Sequence, residues 1–200
     1  MSETLLIIFL KNPVLGKVKT RLAATIGADK ALEVYQLLLE RTQEITEQLP
    51  FDKVVYYSDA IMVDDIWHQN LYKKEVQQGN DLGEKMQQAF AQGFAQGYKY
   101  ICLIGSDCYE LSDEVITDAL EKLQTVDLVL GPCLDGGYYL IGLKTLHPEF
   151  FQNKKWSTDS VLQDTLQDAK NKKITFALLP TLTDVDEEKD LISIDDLLWD

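Results

Sequence analysis

The chain is short of cations. Nineteen Lys and Arg stand against 33 Asp and Glu among 200 residues, a formal net charge of −14. A surface this acidic repels nucleic acid unless its few cations are clustered, which argues against DNA and RNA as partners. Cysteine is scarce as well. Cys102, Cys108 and Cys133 are odd in number, scattered, and set in or beside apolar runs. That pattern predicts reduced thiols in a cytoplasmic protein rather than a disulfide framework or a zinc site. The two histidines, His68 and His147, lack the spacing to complete a metal cluster with them. No apolar stretch approaches the roughly 20 residues a membrane span needs. The N-terminus runs almost at once into LLIIFL, without a basic segment or a small-residue cleavage site, so no leader is expected. Repeats and low-complexity linkers are missing, as are the phosphate loop of P-loop NTPases and the Gly-x-Gly-x-x-Gly of dinucleotide folds.

What is present is an alternation of strand and helix. TLLIIFL (4–10) reads as a first buried strand. From Ala28 to Gln48, Leu32, Tyr35, Leu38, Leu39, Thr42 and Ile45 recur at helical spacing, and Pro50 follows the end. Residues 53–58 predict a second strand, Ile61 to Trp67 a short helical stretch, and the polar 73–78 an edge strand. Asp81, with Glu84 three residues on, resembles a helix start, and Met86, Phe90 and Phe94 then share one face. YICLIG is the central strand, and Ser112 caps the next helix with Asp113 and Glu114 in its first turn. Strands at 127–131 and 138–143, a helix from Thr158 to Ala169, a strand at 173–180 and a helical turn from Asp184 complete the pattern. The expectation is one α/β domain over residues 1–200 with a mostly parallel sheet, one late strand reversed. Leu197, Leu198 and Trp199 are expected to pack on that domain.

Five segments are candidates for chemistry. KNPVLGKVKTRL (11–22) follows the first strand and gathers Lys11, Lys17, Lys19 and Arg21 around Gly16 in an acidic chain, which suits the phosphates of a nucleotide. The competing reading is a solvated basic loop that balances local acids. Gly105-Ser106-Asp107 ends an apolar run, where open α/β sheets collect ligands and a carboxylate can hold a divalent cation. LGPCLDGGYYLIGL (130–143) carries Asp135 before Gly136 and Gly137, which serves either a close ligand approach or a hairpin turn. Tyr138 and Tyr139 then face opposite ways. Asp184 and Asp186 share a face in an extended segment, although Asp186 also suits a helix cap. In KKWSTDS (154–160), Ser157 and Thr158 are cap candidates, and Trp156 either packs or stacks on a ligand ring.

Taken in order, KNPVLGKVKTRL, QGNDLGEKM, GSDC, LGPCLDGGYYLIGL and DVDEEKDL resemble the bacterial DUF2064 proteins, the glycosyltransferase-A-type selenodomain-associated transferase 1 family. The resemblance spans about residues 4 to 191. It places the chain among nucleotide-diphospho-sugar transferases, similar to nucleotidylyltransferases. It implies a single-domain GT-A sandwich, a mixed and mainly parallel sheet flanked by helices, binding a nucleotide over strands one and four. By motif position, Lys19 and Arg21 would hold phosphates, with Lys11, Gly16 and Lys17 in the same loop. Asp107 would bind the metal, with Asp186 a second ligand. Gly136 and Gly137 would line the acceptor side, and Asp81 and Gly83 would lie near the base or ribose. The family's proline after Gly-Ser-Asp-Cys is Tyr109 here, and the Thr-Pro of its last motif is Glu187-Glu188.

The expected chemistry is transfer from a nucleotide-diphospho-sugar with Mg²⁺ or Mn²⁺ on Asp107, and Asp135 is the candidate base for an acceptor hydroxyl. Two alternatives stay open: nucleotidyl transfer with release of pyrophosphate, and a nucleotide-binding module without turnover.

Overall fold

The computed structural model describes residues 2–194; Leu197, Leu198 and Trp199 lie outside them. A seven-stranded sheet runs through the centre in the order β3-β2-β1-β4-β6-β5-β7. Strands β1 (Thr4–Leu10), β2 (Asp52–Tyr57), β3 (Tyr72–Val76) and β4 (Tyr100–Ile104) are mutually parallel. Strand β6 (Tyr138–Leu143) runs antiparallel to both β4 and β5 (Leu128–Pro132), and β7 (Phe176–Leu178) is parallel to β5. The polar segment at β3 is an edge, as its composition predicts.

Both faces of the central strands are buried, which is why they read as unbroken apolar runs. Leu6, Ile8 and Leu10 of β1 pack with Tyr35 and Leu39 of α2 (Ala28–Glu47) and Ile116 and Leu120 of α4 (Asp113–Lys122). Leu5, Ile7 and Phe9 pack on the other side with Met86 and Phe90 of α3 (Leu82–Ala95) and Leu166 of α5 (Val161–Lys172). Each fully buried aliphatic side chain contributes about 1.5–3 kcal/mol. A third cluster joins Leu22 of α1 (Thr20–Ile26) to Val34, Leu38 and Val185. That cluster clamps the segment after β7 against the start of the chain.

Three expectations are corrected. Residues 61–67 form no helix, because Asp65 turns inward to Lys74 Nζ at 2.6 Å, to the Tyr57 hydroxyl and to the Trp67 N–H. The fifth helix starts at Val161 rather than Thr158, since Ser157 holds a left-handed φ of 62° that no helix continues through. Ser157 and Thr158 therefore cap nothing there. Helix α1 was not foreseen, for its sequence looks like the tail of the basic loop. Among the described residues, no helix is long and apolar enough to cross a membrane.

Candidate functional site

The carboxyl ends of β1 and β4 open onto two adjoining hollows. The larger, of about 480 Å³, is floored by Phe9, Leu103 and Ile141 and walled by Met86, Tyr138 and Trp156. Its rim carries Asp107, Asp135, Asp184 and Asp186. The smaller, of about 360 Å³, is lined by Lys11, Lys19 and Arg21 together with Asp107, Asp135 and Asp186. Acids and cations thus meet along a shared border.

Lys19 sits on that border. Its residue is only 8% exposed, and its backbone takes a left-handed φ of 46° where it opens α1. Nζ lies 2.9 Å from Asp107 Oδ1 and 3.2 Å from Asp186 Oδ1, and Arg21 Nη1 lies 3.6 Å from Asp186 Oδ2. Burial opposes the charge on Lys19, but the two carboxylates outweigh it, so its pKa stands above the ordinary lysine value. Asp107 itself is fixed from both directions. It lies three residues past the end of β4, and its carbonyl accepts from Val185 N at 3.0 Å, which docks the Asp184–Asp186 segment alongside. Val185, fully buried, anchors the two flanking aspartates. They diverge: Asp186 reaches Lys19, while Asp184 reaches Cys133.

Cys133 Sγ donates to Asp184 Oδ2 at 3.1 Å. Burial, reinforced by the charges of Asp107 and Asp135, pushes the Asp184 carboxyl up to about 6. Burial and Asp184 likewise push the Cys133 thiol up, which keeps it protonated. Ligand atoms of Cys133, Asp135 and Asp184 all lie within 4.8 Å of one another. Two of the three are carboxylates, hard oxygen donors of the kind that Mg²⁺ and Mn²⁺ take, with the thiol a softer third. Asp135 also closes its own hairpin, accepting from Gly137 N at 2.8 Å, so the turn and the site use the same side chain.

The loop after β1 is held by residues whose role the sequence did not announce. Tyr35 Oη accepts from Lys11 N at 2.8 Å and donates to Lys11 O at 2.9 Å, with Ser106 Oγ at 3.4 Å. Burial and the charge of Asp107 raise the pKa of this phenol. Asn12 Oδ1 accepts from Asp59 N at 3.0 Å and its Nδ2 donates to Ala60 O at 2.7 Å, tying this loop to the one after β2. Gln77 Nε2 donates to Leu10 O and Tyr56 O and lines the larger hollow.

The predicted residues divide into two groups. Lys11, Lys19, Arg21, Asp107, Asp135, Gly137 and Asp186 converge on the two hollows. Gly16 and Lys17 lie on the exposed part of the loop, outside both linings. Asp81 caps α3, accepting from Glu84 N at 2.8 Å. Gly83 serves packing, since a Cβ there would lie 2.2 Å from Phe151 O. Gly136, with φ of 89°, is pressed against Asp159 O in the same way. These two glycines stand behind the cavity wall rather than in it. Tyr109, in place of the family's proline, packs beneath the Arg41 guanidinium at 5.7 Å. Asp184 and Cys133 are the members of the cluster that sequence reasoning left without a role.

The strand order, the reversed sixth strand and a carboxylate-rich rim at the parallel strand ends define a nucleotide-diphospho-sugar transferase fold of GT-A type. Residues 41–158 match the family described as "Uncharacterized protein conserved in bacteria (DUF2064)". The chain belongs to that family. A protein of Desulfovibrio desulfuricans G20, provisionally described as a nucleotide-diphospho-sugar transferase, is 33% identical with a TM-score of 0.88, covering 97% of this chain and 87% of that one. CMP:2-keto-3-deoxy-manno-octonic acid synthetase complexed with CTP shares the fold at 8% identity and a TM-score of 0.58, with 98% of each chain covered. Rv0371c of Mycobacterium tuberculosis H37Rv, in complex with manganese, does so at 12% identity and a TM-score of 0.57, covering 97% of this chain and 98% of that one. No curated protein matches the sequence.

Proposed function

We propose that this protein is a metal-dependent transferase that takes a nucleotide-diphospho-sugar as donor. One observation carries the reading: Lys19 and Arg21 meet Asp107 and Asp186 at the ends of β1 and β4, on the border between a cationic hollow and a larger carboxylate-rimmed one. A diphosphate needs cations on one side and a cation-binding carboxylate on the other, and both are within reach of one ligand here.

Asp107 and Asp186 are the residues that would hold Mg²⁺ or Mn²⁺. When bound, the cation would offset negative charge developing on the leaving phosphate. Arg21, at 63% side-chain exposure, offers its guanidinium fork to phosphate oxygens, and Lys11 lines the same hollow. The sugar and its acceptor would occupy the larger hollow beside Gly137 and Trp156. Asp135 is placed to take a proton from an acceptor hydroxyl, and Asp184, with its carboxyl near 6, is a second base at the same rim.

The test is thermal stability against nucleoside triphosphates and nucleotide sugars, with and without Mn²⁺. A ligand at about 100 times its dissociation constant stabilises by roughly 2.7 kcal/mol. For a domain of this size that is a melting shift of about 5–10 °C. Release of a nucleoside diphosphate from the best ligand supports glycosyl transfer, whereas pyrophosphate release points to nucleotidyl transfer. Binding without either product leaves a nucleotide-binding module. No metal-dependent shift with any nucleotide overturns the reading.

A further inference from the structure

Three of the four oxygens of Asp107 and Asp186 already face a cation of the protein's own. Lys19 Nζ takes Oδ1 of each, and Arg21 lies by Asp186 Oδ2. A divalent ion bridging the same two carboxylates needs oxygens at roughly 2.0–2.6 Å. It would then stand against the ammonium at close range, where like charges repel strongly in a partly buried site. The two cations cannot share the position.

We propose that Lys19 is the site's built-in counter-ion, and that a divalent cation binds Asp107 and Asp186 only by displacing its ammonium into the neighbouring hollow. This inference rests on the metal-dependent reading above and concerns how that site is regulated. The displacement is mechanically simple. The Lys19 backbone is fixed, because its carbonyl accepts from Ala23 N at 2.8 Å at the start of α1. Only the four-carbon side chain, 3% exposed, has to swing about that fixed point. The hollow that receives it is lined by Lys19 itself, with Arg21, Ser157 and Thr158, and is the place assigned to the phosphates. A displaced ammonium there would meet Asp135 and Asp159 of the same lining, and a bound phosphate would add further negative charge. Phosphate in that hollow would therefore favour the displaced position, and with it the binding of the metal.

The test combines Mn²⁺ titration calorimetry on the wild type and on Lys19→Met with acetic-anhydride labelling of wild-type lysines, read by mass spectrometry with and without Mn²⁺. Circular dichroism confirms that the variant is folded. The expected result is Mn²⁺ affinity at least about tenfold tighter in Lys19→Met, within the usual range of coupling between sites. Lys19, protected in metal-free protein, is expected to become reactive when Mn²⁺ saturates it. Equal or weaker affinity in the variant overturns the proposal and makes Lys19 a residue that merely positions the carboxylates. Tighter affinity with unchanged labelling also overturns it, since Lys19 would then act as a nearby charge that never moves. If neither protein binds Mn²⁺ at all, the metal-dependent reading falls as well. Should the variant fail to fold, the labelling of wild-type protein decides alone: protection that persists at saturating Mn²⁺ overturns the proposal.

Discussion

Cys133 Sγ lies 3.1 Å from Asp184 Oδ2, bringing the tip of the β5–β6 hairpin against the segment that follows β7. The contact gives a buried carboxylate a weak donor where the other acids around it, Asp107 and Asp135, offer none. It stabilises the charged form of Asp184, partly offsetting the burial that favours the protonated one.

A pH dependence follows for the metal-free protein. Burial, then the charges of Asp107 and Asp135, raise the Asp184 carboxyl to about 6. In the unfolded chain it titrates near 3.9. Below about pH 4 both states hold the proton, between about 4 and 6 the folded state binds it more, and above about 6 neither does. Stability from this group is therefore present at low pH and is lost as pH rises through 6, on the order of 2–3 kcal/mol. Urea unfolding from about pH 4 to 8 measures it, and Asp184→Asn is expected to remove the slope and raise stability at pH 8.

Asp107→Ala removes one of the two carboxylates that hold Lys19. The expected outcome is loss of the Mn²⁺-dependent melting shift with nucleotide, while the fold persists, because the Asp107 contact to Val185 uses the backbone carbonyl. Melting curves with and without Mn²⁺ check both parts.

Tyr35→Phe deletes one hydroxyl and two bonds to Lys11, at 2.8 and 2.9 Å. Leaving those backbone groups without a protein partner costs about 1–3 kcal/mol. Urea unfolding reads the stability, and weaker nucleotide binding is expected because the basic loop starts at Lys11.

Gly83→Ala and Gly105→Ala separate packing from lining. The first places a methyl 2.2 Å from Phe151 O and 2.6 Å from Trp156 Nε1, and is expected to destabilise by about 1–3 kcal/mol. The second meets nothing within 4 Å and lies on the wall of the larger hollow. Its stability is expected to stay within about 0.5 kcal/mol of wild type, apart from the gain a glycine-to-alanine change can bring. Ligand affinity is expected to fall more in the second than in the first at temperatures where both are folded, since the second puts its methyl in the hollow and the first reaches it only through Trp156.

The elements that the sequence revealed are those where one physical cause acts alone. Strands β1, β4 and β6 are apolar runs because both their faces are buried, and α2 shows a clean helical period along one buried side. The Ser112 and Asp81 caps were legible because capping is a local bond. The misreadings come from tertiary competition. Asp65 leaves a helical pattern to meet Lys74, and α1 hides in a basic stretch because its single buried side chain, Leu22, gives no period. Gly83 and Gly136 look like ligand-facing glycines, but what presses on them comes from Phe151, Trp156 and Asp159, distant in sequence. The Lys19 bridge was invisible for the same reason.

Lys19 and Asp186 are 167 residues apart in the chain, yet their ion pair lies at the heart of the site. A half-assembled chain, with Asp186 not yet docked, has only one of the two carboxylates assigned to the cation. Long loop closures are made late on a folding path. Cation or nucleotide is therefore expected to leave the folding rate unchanged and to act on the rate of unfolding alone, extending the lifetime of the finished protein.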